Sequence, residues 1–130
     1  MTVAQSAKPY SSDITVTLKR LIALLEEDET DEYGILQPSQ SVFKLAMRLV
    51  VDAYEIMGDS FPRASVSTDE QGSIRLTWSK QAIDGEVRLV AKANANQKAY
   101  LYHELRDDYA VEHDVTASIL VQWLEWLNQA

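Results

Sequence analysis

From Phe61 to Leu105 apolar residues fall at every second position, in four short runs separated by turn-forming residues. The runs are Ala64 and Val66; Ile74, Leu76 and Trp78; Val87, Leu89 and Ala91; and Ala99, Leu101, His103 and Leu105. A period of two marks strands with one buried face. Asp69-Glu70-Gln71-Gly72 ends in a glycine free to take positive φ, Ala82-Ile83-Asp84-Gly85 ends in an Asp-Gly pair, and Asn94-Ala95-Asn96 uses a residue that tolerates the left-handed region. Three closely spaced hairpins predict a four-stranded antiparallel meander. Its outward set is Ser65, Ser67, Arg75, Thr77, Ser79, Glu86, Arg88, Val90, Lys92, Tyr100, Tyr102 and Glu104, mostly polar, as a sheet with one wet face requires.

Helical spacing brackets this sheet. After Ser12 or Asp13 as N-cap, Ile14, Leu18, Leu21, Ile22 and Leu25 form an amphipathic stripe that gives way to Glu26-Glu27-Asp28-Glu29, acids that oppose the macrodipole at a helix C-terminus. Tyr33-Gly34-Ile35 reads as a turn. Pro38-Ser39 opens a second helix carrying Val42, Leu45, Ala46, Leu49, Val50, Ala53, Ile56 and Met57, and Gly58 closes it. Phe43, Met47 and Tyr54 widen its apolar face, which makes it the expected central helix. Residues 107–113 read as an acidic connector, and Asp114 or Thr116 caps a last helix with Val115, Ile119, Leu120, Trp123, Leu124, Trp126 and Leu127. The resulting order is ααββββα. Strands that are grouped rather than alternating with helices predict an α+β fold, with the meander packed on one face against helices.

Composition narrows the function classes. A chain of 130 residues with 46% hydrophobic content supports one core, so the expected division is a flexible tail over 1–11 and a single domain over 12–130. The absence of cysteine removes disulfides, thiolate catalysis and cysteine-based zinc sites, and it fits a reducing compartment. Residues 1–10 lack the charged head and apolar run of a secretion signal, and no apolar run approaches the roughly 18 residues that span a bilayer. These features predict a cytoplasmic protein with no membrane partner. A net charge of −8 argues against double-stranded nucleic acid, whose binding relies on neutralising phosphates with Lys and Arg. The charge is uneven: −5 over residues 1–60, zero over 61–110 and −3 over 111–130.

Three groups of residues carry candidate chemistry. The segment from Tyr102 to Asp114 holds both histidines, His103 and His113, with Glu104, Asp107 and other carboxylates, a composition that suits a metal-dependent hydrolase. Its spacing matches no ligand motif, and His103 lies on the core side of its strand, so the simpler reading is a satisfied core histidine beside a solvated loop, with no metal and no cofactor. On the outward sheet face, Arg75 and Arg88 neighbour Tyr100 and Tyr102, a cationic and aromatic platform suited to a small ligand or single-stranded nucleic acid; cross-strand pairing explains the same residues. Near the C-terminus, Trp123 and Trp126 are the candidate partner interface. Trp126 lies about a right angle or more from Trp123 on the helical wheel, which would expose one indole, whereas a helix squeezed between the sheet and the second helix would bury both. The run Glu26 to Glu32 is either a solvated loop or a surface that steers a basic partner.

Tyr33-Gly34, Pro38-Ser39 and the pattern Pro62-x-x-x-Val66-x-Thr68-x(3)-Gly72-x-Ile74-x-Leu76-x-Trp78 resemble a group of small bacterial α+β proteins with no assigned activity. That group shows an aromatic-rich turn ending in Tyr-Gly, a Pro-Ser helix start and a Gly-x-Ile-x-Leu-x-Trp strand. The resemblance covers about residues 30–105 and departs over 28–32, where acids stand in place of tryptophan and glycine. It implies the fold and a bacterial origin, and it carries over no site residue. With no nucleophile elbow, phosphate-cradling glycine loop or HExxH present, the expected function is a non-enzymatic cytoplasmic protein-interaction module, such as a regulatory or antitoxin-like subunit binding a protein partner or a second copy. The alternatives are the sheet-face binder and the metal-dependent hydrolase.

Overall fold

The computed structural model describes residues 12–26, 39–92 and 99–130. The expected tail over 1–11, the acids beyond Glu26, the Tyr33-Gly34 turn and the Asn94-Ala95-Asn96 turn lie outside the described residues. The elements are α1 (Asp13–Glu26), α2 (Gln40–Met57), β1 (Ser65–Thr68), β2 (Ile74–Lys80), β3 (Gly85–Ala91), β4 (Ala99–Leu105), β5 (Asp108–His113) and α3 (Ala117–Gln129). Short 3₁₀ turns follow α2 and β2.

The fold is mixed α+β, and its sheet is an antiparallel meander ordered β1-β2-β3-β4-β5. Five strands replace the expected four: residues 108–113 form β5, where an acidic connector was expected. Two properties hid it. The turn before β5 contains no glycine, because Arg106 itself adopts the left-handed backbone at φ 57°. The strand also inverts the usual alternation, with Tyr109 and Val111 facing outward and Asp108 and Glu112 on the inward side.

Capping follows the sequence closely. Ser39 accepts from the Val42 N–H at 3.3 Å and Thr116 from the Ile119 N–H at 3.3 Å, each as N-cap of its helix, while Gly58 ends α2 at φ 61° with its N–H on the Tyr54 carbonyl. In the first hairpin the Asp69 carboxylate accepts from the Gln71 and Ser73 backbone N–H groups at 2.9 and 3.0 Å, and Gly72 takes φ 83°. Inward residues Ile74, Leu76, Val87, Leu89 and Leu101 are fully buried beneath the helices. Helix α2 touches α1, α3, β2 and β3. Its end is joined to the sheet by an aromatic series: Tyr54 meets Phe61 edge-on at 6.2 Å, and Phe61 meets Trp78 edge-on at 6.0 Å. The Trp78 indole N–H donates to the Pro62 carbonyl at 2.8 Å, which allows the whole side chain to be buried without an unpaired donor.

Helix α1 is rotated from its expected setting. Its buried residues are Thr17, Leu21 and Leu24, whereas Ile22 and Leu25 are exposed. The physical reason is a polar clamp. The Thr17 hydroxyl donates to the Asp13 carbonyl at 2.9 Å and accepts from the Ala64 N–H at 3.1 Å, and the Arg20 guanidinium donates to the Ala64 carbonyl at 2.6 Å. Both backbone groups of the residue before β1 are thereby satisfied by α1, a requirement that hydrophobic periodicity does not register. Thr17→Val keeps the volume but strands the buried Ala64 N–H, so it should lower stability by about 1–3 kcal/mol in urea unfolding at unchanged m-value, with Thr17→Ser losing less.

Candidate functional site

Two places gather the functional side chains anticipated from sequence, one on each face of the sheet. On the outward face the register places Arg88 opposite Tyr102, and both Arg75 and Tyr100 opposite Val90, so all four candidates share this face. Two of them, Arg88 and Tyr102, are engaged with neighbouring side chains. Arg88 forms an ion pair with Glu86 at 2.5 Å and lies over the Tyr102 ring at 5.2 Å. The Tyr102 hydroxyl donates to Glu104, and its ring lies 6.0 Å from that of Tyr109. Val90, although outward, is buried, and Lys92 lies over the Tyr100 ring at 5.7 Å. Two cations and two carboxylates thus sit among the tyrosines, with Arg88 already neutralised by its neighbour on the same strand.

The Tyr102 phenol is pushed up to about 12, first by its hydrogen bond to Glu104, then by burial and by the negative charges of Glu104 and Glu86, against a lowering by Arg88. A raised value in the folded state means stability that is present below pH 10 and lost as pH rises toward 12. In an absorbance titration of the six tyrosines, one phenol should ionise near pH 12, and Tyr102→Phe should abolish that late step.

The second place lies on the inward face, where β4 and β5 meet α3. Register sets Asp108, Ala110 and Glu112 of β5 beside Leu105, His103 and Leu101 of β4. Helix α3 buries Leu120, Val121, Leu124 and Leu127 beneath α2 and the central strands and leaves Trp123 and Trp126 half-buried on its flank. Gly85 marks how closely this helix approaches: a methyl group there would meet the Leu127 side chain at 3.0 Å.

His103 is 9% exposed and stacks on Trp123, with ring centroids 3.5 Å apart and 14° between planes. Trp126 meets Trp123 at 5.1 Å and His103 at 5.6 Å, nearly perpendicular to the first, so it lies beside the stack rather than on its end. Around these rings is an open cavity of about 350 Å³, lined by His103, Leu105, Asp108, Tyr109, Ala110, Trp123 and Trp126. Its size falls at the lower end of small-ligand sites. The buried His103 Nε2 has no hydrogen-bond partner and stands 3.5 Å from a Glu112 carboxylate oxygen.

Neither reading of the tryptophans describes the structure, since both indoles are half-buried. Positions three apart are neighbours on a helix surface, and both indoles line one cavity. His103 and His113 do not converge, since His103 faces inward on β4 and His113 is opposite the outward Tyr100 on β5. Among the described residues, no group of three or more His, Cys, Asp or Glu is placed to hold a metal ion. Sequence reasoning missed Asp108 and Ala110 as lining residues; the period-two placement of Tyr109 and Val111 was the signal that could have found them. Compared with protein-family models, curated proteins and solved structures, the chain matches none. No helix among the described residues is long and apolar enough to cross a membrane.

Proposed function

We propose that this chain is a non-enzymatic protein-interaction module, a cytoplasmic regulatory or antitoxin-like subunit, whose partner docks where α3 meets β5. One observation carries this reading: two half-buried tryptophans converge on an open cavity beside a sheet edge that no described strand pairs with. Half-buried indoles next to apolar surface are typical anchors of binding energy. Tyr109 and Val111, 69% and 43% exposed, extend apolar surface onto the other side of the same strand. An exposed strand edge offers backbone donors and acceptors to an incoming segment. The sheet-face reading has less support, because Arg88 is already paired with Glu86 and the Tyr102 hydroxyl with Glu104.

Tagged protein from native-cell lysate should retain one protein partner at high salt. Trp126→Ala should weaken that capture by roughly thirtyfold, the effect of truncating an anchor worth about 2 kcal/mol. The pair Arg75→Ala with Tyr100→Ala should leave capture unchanged; the reverse pattern would move the interface to the outward face.

A further inference from the structure

We infer that the cavity between α3 and β5 receives an arginine or lysine side chain from an extended partner segment that pairs with the edge of β5 that no described strand occupies. This rests on the interaction-module reading and names the chemistry of the partner. The rings come first. Indoles are the best aromatic acceptors for a cation, and Trp123 and Trp126, with 79° between their planes, both line one cavity of about 350 Å³, Trp123 having one face stacked on His103. Charge points the same way. The lining contains one carboxylate, Asp108, and no lysine or arginine, and the inward position four residues on along the strand is a second carboxylate, Glu112. No Lys or Arg occurs over residues 111–130.

Hydrogen bonding adds an independent indication. The His103 Nε2 is buried without a partner at the cavity wall. That nitrogen lies 3.5 Å from the Glu112 carboxylate, and a guanidinium entering beside it brings five donors in a fixed fork. The edge of β5 then sets the order of residues in the partner. Inward positions of an added strand fall opposite Asp108, Ala110 and Glu112, and outward ones opposite Tyr109 and Val111. The complementary segment therefore reads basic, apolar, any residue, apolar, basic.

The test uses a capped Thr-Arg-Val-Ala-Val-Arg-Thr peptide, its analogue with citrulline at both arginines, and free arginine amide, followed by tryptophan fluorescence and calorimetry. Trp78 is fully buried, so a change in emission reports Trp123 and Trp126. The arginine peptide should bind, with at least about tenfold loss both on citrulline replacement and on Asp108→Asn, an exposed strand position whose change leaves the core untouched. Equal binding of the arginine and citrulline peptides, or no binding of either, overturns the inference. Free arginine amide binding as tightly as the peptide overturns the strand-pairing part of it. In each of those cases, partner capture that still depends on Trp126 leaves the interaction-module reading standing; capture indifferent to Trp126 removes that reading by a separate measurement.

Discussion

Three helices cover the inward face of a five-stranded sheet, and the cover stops before the last strand. Every other functional feature depends on that shortfall. The inward residues of β2 and β3 are sealed by α2 and α3, so burial of Leu76, Trp78, Val87 and Leu89 supplies the hydrophobic driving force. At β4 the seal becomes partial: Leu101 is fully buried, His103 is covered by Trp123, and Leu105 is half-buried. At β5 it ends, and Asp108 and Ala110 face a cavity instead of a helix. Trp123 and Trp126 are therefore required twice, to shield His103 from water and to form a wall.

The two faces of the sheet treat polar groups in contrasting ways. Outside, Arg88 pairs with Glu86 and lies over Tyr102, and Tyr102 donates to Glu104. Such a surface is close to self-sufficient, and solvent screens what remains. Inside, the buried His103 nitrogen lies beneath the Trp123 ring, while the β5 carboxylates Asp108 and Glu112 stand at the solvent-exposed margin of the sheet.

Much of the architecture was legible because it arises from periodicity and local chemistry. Alternation located β2, β3 and β4; Ser39, Gly58 and Thr116 placed helix ends through hydrogen bonds made within a few residues of themselves. What stayed hidden depended on partners distant in sequence. Thr17 turns α1 because Ala64, 47 residues later, needs a hydrogen bond. Strand β5 escaped because Arg106 performs a glycine's role and because its polar side faces inward, where the helices do not reach. The cavity combines the first half of that hidden strand with residues of β4 before it and α3 after it, so no reading of α3 alone could assemble it.

The inward carboxylates of β5 also bear on how copies of this protein meet one another. A two-fold arrangement of two β5 edges about Ala110 would join Tyr109 to Val111 across the outer face, an agreeable apolar contact, but on the inner face it would set Asp108 against Glu112 of the other copy. That like-charged juxtaposition disfavours pairing of the edge with its own copy, and a segment of opposite charge would not meet it.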